Sequence, residues 1–214
     1  MPRRIIPFAT DHYYHVYNRG VEKRSIFENS RDYTRFVKTI KYYQLAGPKP
    51  KLSKSLNSST FKLNLNEKIV EVICYCLMPN HFHFLIKQLK DGGITEFISK
   101  LSNSYTKYYN TKHTRVGPLL QGVFKTVLVE SGEQFIHLSR YIHLNPIASL
   151  LVRDLRDFKW SSYEEYISGS NGICSKEEIM GYFKSPTGYQ QFVLDQISYA
   201  QTLEKIKHQL IEDI

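Results

Sequence analysis

Residues 69–87, IVEVICYCLMPNHFHFLIK, decide how this chain folds. The run IVEVICYCL at 69–77 is apolar and rich in β-branched residues, and its length suits a buried strand. MPN supplies a turn, and HFHFLIK supplies the partner strand, so the segment is expected to form a hairpin. Side chains alternate across a strand, so His81 and His83 face one side while Phe82 and Phe84 face the other. The phenylalanines can then anchor the strand in a core while both imidazoles face a cleft.

Working outward, YYHVYNR at 13–19 reads as a first strand ended by Gly20. Ser30 is placed to cap a helix carrying Tyr33, Phe36, Val37, Ile40 and Tyr43 at helical spacing, ended by Gly47 and Pro48. Residues 47–66, rich in Lys, Ser, Asn and Pro, read as a long mobile loop insertion. A helix is expected from Ile94, with Phe97, Ile98, Leu101, Tyr105 and Tyr108 on its apolar side. VFKTVLV at 123–129 reads as a strand, and Glu133 to Asn145 as a helix stopped by Pro146. The order strand, helix, hairpin, helix, strand, helix predicts an α+β fold: a ferredoxin-like antiparallel sheet with helices packed on one face. Residues 1–167 form the expected main domain, and 168–214 a small helical C-terminal appendage.

Composition narrows the classes. The 214 residues are 42% hydrophobic and 23% charged, which excludes wholesale disorder and provides for a full core. No apolar run reaches the roughly 18 residues of a membrane span, so no membrane partner is expected. The N-terminus reads as mature sequence without a signal peptide. Three cysteines, an odd number, argue against a disulfide framework and for the cytoplasm. The net charge of +9 suggests a polyanionic partner, nucleic acid first, and the 16 tyrosines suit either base stacking or core packing.

Three groups of residues could carry chemistry. His81 and His83 make half of a metal site, or are two half-exposed histidines. In QFIHLSRYIHLNP, Tyr141 and Asn145 are four apart and share a helical face. The amide oxygen of Asn145 could be a third ligand beside the two histidines, with Tyr141 as a nucleophile activated near the cation. Equally, a tyrosine on an amphipathic helix is core packing, and an asparagine before proline is a helix terminator. Finally, Cys74 and Cys76 could face His81 and His83 across a tight hairpin and form a tetrahedral zinc patch. A one-residue slip of register would turn the cysteines away.

Four segments in this order carry a more specific signal: YYHVYNRGVEKRSIF (13–27), CLMPNHFHFLI (76–86), GPLLQGVFK (117–125) and SRYIHLNPIASLLV (139–152). With KWSSYEEY (159–166), they resemble the HUH-type tyrosine transposases that act on single-stranded DNA, and are most similar to the REP-associated branch. The resemblance covers about residues 8–167. Leu120 and Val123 stand where related proteins often carry an aromatic residue and an arginine. The resemblance implies that His81, His83 and Asn145 ligate Mg²⁺ or Mn²⁺ and that Tyr141 is the nucleophile. It further implies cleavage and rejoining of single-stranded DNA beside hairpins or inverted repeats through a 5′-phosphotyrosine. Arg19, Lys107, Lys112, Arg115, Gln121 and Lys125 are the candidate DNA contacts, and the C-terminal appendage favours a monomer over a homodimer. The alternatives are an inactive relative that only binds DNA hairpins and a zinc-stabilised RNA-binding module.

Overall fold

The computed structural model describes residues 8–47, 50, 52–55 and 67–203. Four strands form one antiparallel sheet: β1 (Tyr13–Arg19), β2 (Val70–Met78), β3 (His81–Gln88) and β4 (Lys125–Val129). Their order is β2-β3-β1-β4, the ferredoxin-like arrangement expected from the element order. The helices are α1 (Ser30–Tyr43), the short α2 (Leu52–Ser55), α3 (Gly93–Lys112), α4 (Gly132–Ala148), α5 (Tyr163–Ile167), α6 (Glu177–Met180) and α7 (Pro186–Leu194). The expected insertion at 47–66 lies largely outside the described residues.

Alternation along the strands divides the molecule into two layers. Tyr14 and Val16 of β1, with Phe82, Phe84 and Ile86 of β3, face a core completed by Phe36 and Ile40 of α1 and Phe97, Leu101 and Tyr105 of α3. Phe36, Phe82 and Phe84 are fully buried, each worth roughly 1.5–3 kcal/mol relative to exposure. The opposite face is also covered, which extends the expectation of helices on one face. There, Ile142, Leu144 and Ile147 of α4 pack with Cys76, Met78 and Leu85 of the hairpin and with Tyr163, Tyr166, Tyr189 and Val193 of α5 and α7.

The hairpin turns on Pro79-Asn80, with Met78 paired to His81 and Cys76 to His83. A bulge between Val72 and Cys74 leaves Ile73 without a cross-strand partner, and the Tyr166 hydroxyl donates to its carbonyl at 2.8 Å. Strand β2 would otherwise present an open edge. Residues 160–162 and 175 cover it: Leu77 N–H donates to Trp160 O, Ser162 N–H to Tyr75 O and Ser175 N–H to Val72 O.

Two helix ends differ from the sequence reading. Asn29, not Ser30, caps α1, its side chain accepting from Asp32 N–H. Helix α4 runs through Pro146 to Ala148 rather than stopping before it. The proline removes the N–H that would bond to Ile142 O four residues back. The side-chain amide of Asn145 lies 3.5 Å from that carbonyl and partly replaces the missing donor. At the other end, Ser131 caps α4 by accepting from Gln134 N–H.

Candidate active site

Odd-numbered positions of β1 and β3 build the floor of the site. Tyr17 pairs with His83, Arg19 with His81 and His15 with Leu85, so His15, Tyr17, His81 and His83 share the sheet face toward α4. The rings of His81 and His83 are perpendicular with centroids 4.9 Å apart. His15 stacks on Tyr17 at 4.8 Å, and its ring lies beside that of His83, nearly parallel to it, with centroids 5.1 Å apart. Helix α4 lays Tyr141 edge-on against this group, 5.6 Å from His83 and 6.0 Å from His15. A single chain therefore joins His81, His83 and Tyr141, residues separated by some 60 positions.

The hydrogen bonds assign the nitrogens. His81 Nδ1 lies 2.6 Å from Asn80 Oδ1, an oxygen that can only accept, so Nδ1 carries the proton. His83 Nδ1 lies 2.9 Å from His15 Nε2. Burial lowers the pKa of His15 to about 4, so its imidazole is neutral at pH 7.

Asn145 stands one turn beyond Tyr141 on α4, and its Nδ2 donates to Tyr141 O at 2.8 Å. That bond ties the amine end to the helix and leaves Oδ1 as the acceptor end of the amide. Tyr141 and Asn145, with His137, Arg140, Leu144 and Tyr199, line a groove of about 630 Å³ between α4 and the C-terminal segment. Tyr141 is 42% exposed, so this is not a core tyrosine.

The cysteines behave as core residues. Cys76 is opposite His83, but the two-residue turn sets Met78, not Cys74, opposite His81, and leaves Cys74 opposite Leu85. Both are completely buried, and burial pushes their thiol pKa values up, which disfavours the thiolate a metal requires. The Cys76 thiol contacts Met78 Sδ at 3.6 Å. Among the described residues, no group of three or more His, Cys, Asp or Glu is gathered for a metal ion.

The candidate DNA contacts fall in two places. Arg19 is hydrogen-bonded to Gln121, and Lys125 is paired with Tyr17, so these three lie at the histidine end of the sheet. Lys107 and Lys112 are on α3, with Arg115 just beyond it, in the layer on the other side of the sheet. Lys112 is ion-paired to buried Asp32 at 2.6 Å, and Arg115 stacks over Tyr109 and bonds Asn110.

His15 is the residue that sequence reasoning overlooked. Its signal was the alternation His15–Tyr17 on β1, which resembles that of His81–His83. Only strand order and register reveal that the two pairs adjoin.

Among solved structures, the fold is similar to that of a REP-associated tyrosine transposase bound to a REP hairpin, with 14% identity and a TM-score of 0.53. The match covers 81% of this chain and 90% of that one. A putative transposase from Deinococcus radiodurans R1 also matches, with 11% identity over 66% of this chain and 95% of that one, at a TM-score of 0.37. No curated protein matches the chain by sequence. Among the described residues, no helix is long and apolar enough to cross a membrane. The family model described as "Transposase IS200 like" matches residues 8–145, a span that contains the histidine pair, His15, Tyr141 and Asn145 and most of the chain, and the chain therefore belongs to the IS200-like transposase family.

Proposed function

We propose that this protein cleaves and rejoins single-stranded DNA beside hairpins, with Tyr141 as nucleophile and a divalent cation held by His81, His83 and Asn145. The observation that carries this reading is the edge-on contact of Tyr141 with His83, made within one chain. The donor set joins two imidazoles, whose Nδ1 atoms face Asn80 and His15, with one amide oxygen, a mix of borderline nitrogen and hard oxygen that can hold a divalent cation. A Mg²⁺ or Mn²⁺ ion bound there supplies Lewis-acid polarisation of the scissile phosphate and offsets its developing charge.

The chain's own residues do the rest. The Tyr141 hydroxyl attacks phosphorus and gives its proton to solvent. The bond from phosphorus to the 3′ oxygen breaks, that oxygen takes up a proton, and a 5′-phosphotyrosine remains on the protein. Attack by a second 3′-OH reverses the step and joins strands without ATP, because the ester keeps the phosphodiester's energy. Arg19, Gln121 and Lys125 at the histidine end are proposed to follow the backbone, whereas Lys107, Lys112 and Arg115 lie across the sheet and Lys112 is already ion-paired to Asp32. The REP-associated neighbour is bound to a REP hairpin, which supports a hairpin as partner here. Since one chain holds both the histidines and Tyr141, a monomer suffices for the chemistry.

The test is a labelled single-stranded oligonucleotide carrying a hairpin, incubated with Mg²⁺ or Mn²⁺ and resolved under denaturing conditions. A covalent adduct is expected with the wild type and none with Tyr141→Phe. An adduct that survives this substitution overturns the nucleophile, and binding without any adduct favours a protein that only recognises hairpins.

A further inference from the structure

We propose that His15 is a positioning residue for the metal site. Its Nε2 accepts the Nδ1 proton of His83 and so fixes the tautomer and ring orientation that offer His83 Nε2 to the cation. The inference rests on the reading above, in which His83 is a ligand.

Three observations carry it. The two nitrogens are 2.9 Å apart, so one of them donates and the other accepts. The rings are nearly parallel, with an interplanar angle of 19° and centroids 5.1 Å apart, and meet edge to edge through these nitrogens, while Tyr17 stacks on both, which prevents His15 from swinging away. The other histidine of the pair has the same arrangement, with His81 Nδ1 bonded to Asn80 Oδ1. Both imidazoles are thus gripped at Nδ1 by a neighbouring side chain, which leaves Nε2 as the lone-pair nitrogen in each. Metal-binding histidines regularly donate their second N–H to such a partner, and the partner sets both aim and basicity. In the reverse arrangement, His15 would donate to His83 Nδ1. His83 Nε2 would then carry the proton, and a cation could bind only after displacing it.

Two measurements on the full chain separate these possibilities. The first uses ¹⁵N-labelled wild type without metal and reads the His83 tautomer from long-range imidazole correlations. A proton on Nδ1 is expected, although free neutral histidine prefers Nε2, and a proton on Nε2 overturns the proposal. The second titrates Mn²⁺ alone, following the free ion by electron paramagnetic resonance. His15→Phe is expected to weaken binding by about 10- to 100-fold, as loss of such partners does. His15→Gln, whose carbonyl reaches a similar point, should recover most of the loss. His15→Phe binding as tightly as the wild type, while His83→Ala has lost affinity, overturns the role of His15 alone. A wild type without Mn²⁺ affinity, or His83→Ala with unchanged affinity, overturns the ligand reading itself.

Discussion

Nε2 of His143 lies 2.8 Å from Oγ of Ser162, deep between α4 and the edge of β2. His143 is two residues after Tyr141 but points to the opposite side of the helix, and it is fully buried. Its Nδ1 is 2.7 Å from the Tyr189 hydroxyl of α7, which in turn donates to Ser139 Oγ. Ser162 Oγ also accepts from Tyr75 N–H at 2.9 Å. The chain of bonds runs from α7 through α4 to β2, and it fixes the rotation of α4 about its axis. That rotation aims Tyr141.

Ser162→Ala should therefore lower stability by about 2–3 kcal/mol, since it leaves the Tyr75 N–H and a His143 nitrogen buried without partners. Urea unfolding followed by circular dichroism measures the change. A loss under about 0.5 kcal/mol would mean that water or a rearranged side chain has taken the place of the hydroxyl.

The same network predicts how stability depends on pH. Burial lowers the His143 pKa to about 3, against an ordinary value of 6.5. As pH falls below about 6.5, the unfolded chain takes up a proton on this imidazole while the folded chain does not, until pH approaches 3. Stability should then decline toward acid by up to ~1.4 kcal/mol per pH unit from this group alone. Above pH 7 the group is neutral in both states and contributes no slope. Unfolding curves for wild type and His143→Gln, taken between pH 7.5 and 4.5, isolate the effect. The difference in stability between the two proteins should shrink as pH falls, and a difference independent of pH would refute the assignment.

On the other side of the sheet, Asp32 ties α1 to α3. Its carboxyl is fully buried, accepts from Lys112 at 2.6 Å, from Tyr108 at 3.0 Å and from Glu28 N–H at 3.1 Å. Burial alone would raise its pKa, but the bonds from Lys112, the Glu28 N–H and Tyr108 outweigh burial and hold it below the ordinary carboxylate value. Asp32→Ala removes all three at once and leaves Lys112 without its counter-charge. The expected cost is about 3–5 kcal/mol, read as a lower urea midpoint, with no direct effect on the residues around Tyr141.

How far the sequence revealed this molecule depends on the range of each interaction. Strand β1 and the β2–β3 hairpin were legible because alternation, apolar runs and the Pro79-Asn80 turn are local features. The shared face of His81 and His83 followed from their spacing alone. His15 was not legible, because its contact with His83 depends on which strand pairs with which, and in what register. The continuation of α4 past Pro146 was hidden for a related reason. Proline penalises a helix locally, but Ile147 is buried in the second core and packing holds the last turn in place. The cysteines were ambiguous because the hairpin register depends on the length of the turn: with Pro79 and Asn80 as its two residues, Met78 and not Cys74 comes opposite His81.

The position of Lys112 leads to a prediction about DNA. The formal charge of +9 treats every lysine alike, yet the Lys112 ammonium is already matched by Asp32 and also bonds Asn29. A cation neutralised within the protein releases few counterions from a bound strand. Each phosphate contact on single-stranded DNA contributes about 0.7 to the slope of log affinity against log salt. Lys125→Gln, at the exposed histidine end of the sheet, should therefore reduce the magnitude of that slope by about 0.7, and Lys112→Gln should leave it unchanged while lowering stability. Fluorescence anisotropy with a labelled hairpin oligonucleotide between about 50 and 200 mM salt provides the measurement. Equal reductions for both variants would mean that DNA displaces Asp32 from Lys112, and the strand would then have to contact the α3 layer as well as the face that carries Tyr141.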